Sequence, residues 1–412
     1  MITRIYVDNF RCFTNFEVKP RQLNLLIGGN GSGKSTFIEA LHRVVGLAAM
    51  GEAVEDAFPP NTRTRWDSRP TQRLELDVNG NGGTYQCSVT LLHDIDRQTV
   101  TLEQEIVRYT PTPTFPSTAQ QMAGSLPAPP YASGKKSRTL AKSGNAFTSI
   151  SPRTLFLFEN GTVQLYDSDG NPGAQFEFRG DRSFLPQIDA RPKNLLMWFI
   201  DFLRTVWLVK IDPTSIDSES EDESEALEAS GSDFASWYRH LSQERPQDLP
   251  RLFQRLSEAL PGFRSLRTLS TGKGGRKREL VADFCYGDPP STYPPLFFDE
   301  LSDGERAAII LYCILTDAEG GPRTLLLDEP ENFVGLQLIQ PWLVEVADAI
   351  RDKGQLFLIS HHPEAIDYMA ADHALLFERP GGGPSRVRVN PFDRDQGLKA
   401  SELVGRGLLD GD

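Results

Sequence analysis

Four short stretches of the chain set phosphate-handling or metal-handling residue types at the ends of apolar runs. In GGNGSGKST, Gly28, Gly33, Lys34 and Ser35 satisfy the pattern G-x-x-x-x-G-K-[ST], with Asn30, Gly31, Ser32 and Thr36 completing the loop and its exit. Glycines there let backbone N–H groups curl around an anion, and the helix that follows adds the positive end of its dipole. Lys34 is placed to neutralise β- and γ-phosphates, and the Ser35 hydroxyl to ligate magnesium. In TLLLDEPEN an apolar strand delivers Asp328 and Glu329 at its C-terminal end, where open α/β sheets bind ligands. Asp328 suits the magnesium shell, and Glu329 suits a base that orients an attacking water. Mg2+ and ATP are the cofactors this chemistry calls for.

Two further stretches read in more than one way. LSDGE (301–305) precedes a helix-compatible apolar run, so Ser302 and Gly304 form either a second anion-binding corner or a plain helix N-cap. One phosphate tail does not need two such corners from one subunit. QLFLISHHPEAID ends a strand in Ser360, His361 and His362, where a histidine could reach a γ-phosphate and register its loss, or where the strand is simply capped.

The elements that must position these residues follow from the apolar periods. Residues 1–109 read as strand, turn, strand, glycine-rich loop and helix, then an antiparallel meander through RLELDV, TYQCSVTLL and QTVTLEQEIV. Residues 110–150 are rich in Pro, Ser, Gly and Ala without a period and read as a flexible insertion. Strand patterns resume over 151–193. A helical insertion is expected at 194–295. It comprises an apolar helix over 195–209 with Leu196, Ile200, Leu203 and Trp207 on one face, an acidic solvated linker over about 212–230, two short helices over 233–260, and a β-hairpin around TGKGGRKR. Residues 296–412 return to the sheet with LSDGE, the DE strand and the histidine pair.

Composition narrows the classes. A formal charge of −13 on 412 residues argues against a surface that coats nucleic acid or an anionic membrane, so DNA contact would be local. Candidate patches are Lys273, Arg276, Lys277 and Arg278 on the hairpin, and Lys135, Lys136 and Arg138 in the insertion. The four cysteines form no CxxC pair, which indicates neither a zinc site nor a disulfide framework and fits a reduced cytoplasm. The start lacks the basic segment and apolar run of a signal peptide, and no stretch reaches the roughly 20 apolar residues of a membrane span.

In this order GGNGSGKST, LSDGE, LLLDEPEN and LISHH resemble Walker A, the signature, Walker B and the switch histidine of ABC-type ATPases. IYVDNFRCF ahead of the P-loop, and DEPEN followed by SHHPEAID, most resemble the branch with SMC proteins, RecF and OLD ATPases. The resemblance implies an α/β fold: an ABC-type P-loop NTPase head with a mixed sheet, an antiparallel β-subdomain and a small helical insertion. It implies ATP hydrolysis and a homodimer formed on ATP binding, in which Ser302 and Gly304 of one subunit grip the γ-phosphate held by Lys34 of the other. That division would explain the two anion corners. It further implies His361 as switch histidine with His362 as the alternative, Arg11 near the phosphates, and Gln72 as the glutamine that joins the metal site and couples the lobes.

Two departures stand out. After DEPEN the chain reads FVGLQLIQPW instead of a histidine-proline element, and after Phe377 too little follows for the TOPRIM nuclease domain of OLD proteins. A nuclease or toxin effector is therefore expected on a separate chain, with the ATPase as a switch in DNA repair or in defence against mobile elements. A transporter ATPase subunit and a non-hydrolysing ATP-binding regulator are the alternatives. Against them stand the mostly β interval between Walker A and the signature, and the intact Lys34, Asp328 and Glu329.

Overall fold

Strands buried at every position have cover on both faces, and three such strands set the architecture. A computed structural model describes residues 1–113, 151–188, 194–271, 276–287, 291–292, 294–351, 353–392 and 398–407. The N-terminal part contains β1 (Ile2–Asp8), β2 (Phe16–Val18), β3 (Leu23–Ile27), α1 (Lys34–Val45), α2 (Val54–Ala57), β4 (Thr71–Gly80), β5 (Gly83–Asp94) and β6 (Thr99–Pro111). The middle contains β7 (Arg153–Glu159), β8 (Thr162–Tyr166), β9 (Pro172–Glu177), α3 (Leu195–Arg204), β10 (Val206–Val209), β11 (Glu219–Ser220), α4 (Phe234–Glu244), α5 (Leu249–Ala259), β12 (Phe263–Thr271) and β13 (Lys277–Tyr286). The C-terminal part contains β14 (Ser291–Thr292), β15 (Leu296–Phe297), α6 (Asp303–Gly320), β16 (Thr324–Asp328), α7 (Leu336–Arg351), β17 (Gln355–Ile359), α8 (Pro363–His373), β18 (Ala374–Glu378), β19 (Arg386–Val389) and α9 (Ala400–Gly405).

Six strands form a sheet in the order β10-β16-β17-β3-β18-β19, parallel except for the pair β18 and β19. Strands β3, β16 and β17 are buried throughout, and their side chains alternate between two cores as a period of two demands. Leu25, Ile27, Leu325, Leu327, Leu356 and Leu358 face the core built with α4 to α8. Leu26, Leu326, Phe357 and Ile359 face the core built with α1, α3 and the second sheet. At roughly 1.5–3 kcal/mol for each fully buried aliphatic or aromatic side chain, this double cover stabilises the sheet enough to hold charged loops at its end.

The second sheet is antiparallel, in the order β2-β1-β4-β5-β6-β7-β8-β9, and turns one face to the core. In β5, Tyr85, Cys87, Val89 and Leu91 are buried while Gln86 and Leu92 are exposed. A third sheet joins β11, β13 and β12, with β14 and β15 paired to β13. The α/β class with mixed and antiparallel sheets expected from the sequence is the fold that forms.

Two local readings need correcting. The helix expected over 195–209 ends at Arg204 with Thr205 as C-cap, and Trp207 lies on β10, paired with Leu325 of β16. Val206, Trp207 and Val209 are β-favouring residues, and the open edge of the parallel sheet takes this segment up. The acidic stretch over 212–230 is not simply solvated. Ile216 and Leu227 are buried, β11 pairs with β13, and Glu219 and Glu223 form ion pairs with Lys277 and Arg239. Of the basic residues proposed for DNA, Lys135, Lys136, Arg138 and Lys273 lie outside the described residues, as does most of the 110–150 insertion. Among the described residues no helix is long and apolar enough to cross a membrane.

Parallel strands share one direction, so the loops after β10, β16, β17 and β3 all open at one edge of the sheet. Register aligns them: Val209 is beside Leu327, Asp328 beside Ile359, and Ile359 beside Leu26.

Candidate functional site

At the end of β3 the chain turns through Gly28, at φ 140°, where a Cβ would sit 2.2 Å from the carbonyl oxygen of Phe377. Gly33, at φ 109°, is the N-cap of α1, and a Cβ there would press on Cys12 Sγ and Ser385 Oγ at 3.0 Å. Both positions combine a left-handed backbone with no room for a side chain, which restricts them to glycine. Lys34, the first residue of α1, folds back so that Nζ donates to Gly28 O at 2.8 Å and Gly29 O at 3.2 Å. Burial lowers its pKa, while Glu329 and Asp328 pull the other way. The Ser32 hydroxyl is buried without a hydrogen-bond partner, as a loop shaped for an anion would leave it.

Asp328 closes β16 with its side chain 5 % exposed, and its Oδ1 accepts from Ser35 Oγ at 3.3 Å. Glu329 follows in a left-handed conformation at φ 53°, its N–H donating to Ile359 O at 3.0 Å. A glutamate held there is strained by about 1–3 kcal/mol, and the bond to β17 holds it in place. Its Oε2 accepts from Asn332 Nδ2 at 2.9 Å, and its Oε1 lies 3.4 Å from His361 Nε2. The two histidines part ways here. His361 turns to Glu329, with its N–H donating to Glu331 Oε1 at 2.9 Å, whereas His362 caps α8, its Nδ1 accepting from Glu364 N at 3.2 Å.

The hydroxyl of Ser35 and the carboxylate of Asp328 are hard oxygen donors side by side, and they fit Mg2+. Among the described residues no group of three His, Cys, Asp or Glu could hold a metal alone. A magnesium ion here would complete its shell with water and phosphate oxygens, as it does in nucleotide sites.

A cleft of about 650 Å³ opens over the P-loop, lined by Asn30, Gly31, Gly33 to Thr36 and Glu329 on one side. Arg11, Asn61, Arg63, Arg65, Trp66 and Arg379 supply most of the rest of its wall. Arg11, expected near the phosphates, lines this wall, with Nη2 2.7 Å from Glu39 Oε1. The remaining wall belongs to none of the four motifs. Thr62 and Thr64 are buried, with Thr64 N donating to Asn9 Oδ1 and Arg11 N donating to Thr62 O, so Asn61, Arg63 and Arg65 alternate outward. That polar-in, cation-out alternation in NTRTRW is the signal that could have found them. Trp66 is 49 % exposed, and the Arg379 guanidinium lies 5.3 Å from its ring centroid. A flat ring and four guanidinium groups suit a base and its phosphates.

Gln72 is not brought to this cleft. It is fully buried in β4, Nε2 donates to Asn9 O at 2.9 Å and to Thr62 O at 3.4 Å, and Oε1 faces His93 Nε2 at 3.2 Å. Burial pushes His93 down to about 4, so the neutral ring donates to the amide oxygen. Gln72 therefore ties down the backbone behind the cleft wall, with both polar atoms of its side chain engaged and neither lining the cleft.

Ser302 and Gly304 also stay out of the cleft. Ser302 is the N-cap of α6 in a capping box: its N and Oγ donate to Glu305 Oε2 at 2.9 and 2.7 Å, and its Oγ accepts from Glu305 N at 3.4 Å. A Cβ on Gly304 would come within 3.0 Å of Phe333 O, so glycine lets α6 begin against the loop that follows Glu329.

Residues 1–61 match the AAA ATPase domain family. A crystal structure of an SMC head bound to the C-terminal winged-helix domain of ScpA is similar, with a TM-score of 0.50 and 13 % identity over 94 % of this chain and 97 % of that one. The SMC head domain from Thermotoga maritima aligns with a TM-score of 0.42 and 14 % identity over 94 % of this chain and 98 % of that one. No curated protein matches. The ATPase-domain match and the SMC-head fold support the resemblance to SMC/RecF-like ABC-type ATPases drawn from the motifs.

Proposed function

We propose that this chain is a Mg2+-dependent ATP hydrolase that dimerises on ATP and works as a switch in DNA repair or anti-element defence, controlling a separate effector such as a nuclease or toxin. The observation that carries the reading is an incomplete site. Lys34 and Glu329 line the cleft, with Asp328 bonded to Ser35 and His361 beside Glu329, while the proposed second phosphate corner at Ser302 and Gly304 lies outside that lining and closes on its own Glu305. A second copy docking head to head is the simplest way to bring that corner to a γ-phosphate.

In this account the P-loop N–H groups and Lys34 hold the β- and γ-phosphates, and Lys34 leaves the carbonyls of Gly28 and Gly29 to do so. Ser35 and Asp328 hold Mg2+, which when bound supplies positive charge to the phosphate oxygens. Glu329 takes the proton of the attacking water as the new oxygen–phosphorus bond forms and the bond to ADP breaks. His361, 3.4 Å from that carboxylate, is placed to register whether the γ-phosphate is present. Loss of that phosphate removes the ligand both copies share, so nucleotide state becomes assembly state. The SMC head solved with a ScpA domain is a precedent for a head that carries a protein partner.

Complementation tests the sharing. Lys34→Ala and Ser302→Arg chains, each inactive alone, should regain hydrolysis at one of the two shared sites when mixed. Folded mutants that stay inactive in the mixture would sink the composite-site reading.

A further inference from the structure

Beside the candidate metal site stands a cation that none of the sequence motifs includes. Strand β10 runs parallel to β16 with Val209 opposite Leu327, so the next step along both strands sets Lys210 beside Asp328. The placement is a consequence of register, independent of side-chain conformation. Lys210 Nζ lies 2.8 Å from Asp328 Oδ2, while the other oxygen, Oδ1, accepts from Ser35. The two partners differ sharply in environment: the Lys210 side chain is 65 % exposed and that of Asp328 5 %. Lys34 feels both carboxylates, Glu329 and Asp328, and Lys210 pairs with Asp328 alone. A nearly buried carboxylate without a countercharge is costly, and Lys210 supplies one when no metal does.

We infer that Lys210 is a built-in competitor of the divalent cation: it holds the Asp328 carboxylate in place in the metal-free protein and must swing away for Mg2+ to use that carboxylate. The backbone need not move. Lys210 N is anchored to Ala229 O at 2.7 Å, and the exposed four-carbon stem gives the ammonium a free path to water. Lys210 is thus a positioning residue, acting through Asp328, and it tunes how much free magnesium the site needs. This inference rests on the reading of Ser35 and Asp328 as metal ligands.

The test uses the full chain with ADP and Mn2+ as the spectroscopic stand-in, reading free Mn2+ by electron paramagnetic resonance. Lys210→Met should bind Mn2+ about tenfold more tightly than wild type, because a like charge within a few ångströms is removed, and Lys210→Arg should stay near wild type. Equal or weaker Mn2+ binding by Lys210→Met would overturn the proposal. Thermal unfolding without metal gives a second readout. Lys210→Met should lower the melting temperature, and Asp328→Asn should cancel that loss in the double variant, whereas additive losses would contradict the pairing. If wild type bound no Mn2+ with ADP, the metal-site reading would fail while the unfolding cycle still judged the Lys210–Asp328 pair.

Discussion

The molecule has two glycine-and-hydroxyl corners at helix N-termini, and they are built differently. At the P-loop the hydroxyl of Ser32 is buried and unpartnered, Gly28 and Gly33 have no room for side chains, and a cleft with a cationic wall stands over the helix. At the signature corner the Ser302 hydroxyl and N–H are both taken by Glu305, and neither Ser302 nor Gly304 lines that cleft. The first corner is ready for a ligand within one chain. The second is a stable helix cap, and in the proposed dimer an approaching phosphate would have to draw it away from its own glutamate. The same local chemistry therefore does different work according to what tertiary structure sets around it.

The largest expected effect breaks the comparison at the P-loop. Lys34→Ala removes charge-assisted bonds to phosphate and should weaken ATP binding by roughly 100-fold, measured by calorimetry. Ser302→Arg should do the reverse, leaving the affinity of one chain for ATP within about twofold while abolishing dimer formation and turnover. If it weakened monomer binding as much as the P-loop change, the two corners would not be separable.

That contrast also shows what a sequence carries. GGNGSGKST, LLLDEPEN and LISHH were legible because each site residue is adjacent in sequence to the strand that delivers it. The arginine wall was not, since Arg63 and Arg65 face the cleft only because Thr62 and Thr64 are tied to Asn9 and to the backbone of Phe13 and Arg11. Lys210 was hidden for a similar reason, being set by the register between strands more than 100 residues apart in the chain. The run from Leu195 to Val209 carries a helical apolar period to its end, and only the free sheet edge decides that its last four residues are a strand. Gln72 lies away from the cleft, and a single residue type has no neighbours in sequence to fix its role. Its amide is fully engaged behind the wall.

Two smaller effects sharpen the picture of the prepared corner. Trp66→Ala should weaken ATP binding by about tenfold, the worth of one base stacked on an aromatic ring, yet leave inorganic triphosphate binding unchanged. Equal losses for both ligands would move Trp66 from the base to the phosphates. Far from either corner, Glu105 is buried on β6, accepts from Ser183 Oγ at 2.7 Å, and is pushed up to about 7 by burial. A raised carboxyl pKa means the folded state holds its proton longer than the unfolded one. Its contribution is present in full below about pH 4.5 and is lost as pH rises through 7. Glu105→Gln should therefore stabilise the protein at pH 8 relative to wild type, by up to about 3 kcal/mol, and by little at pH 4, with turnover per folded site unchanged. Denaturant unfolding at the two pH values checks the sign.

The division of labour between the two corners is most directly tested by Glu329→Gln, which keeps the cleft and removes the base. With saturating ATP and Mg2+, light scattering should give twice the mass of the single chain, and the dimer should persist because the shared γ-phosphate is not cleaved. A Glu329→Gln chain that binds ATP yet keeps the mass of one chain at every concentration would contradict it.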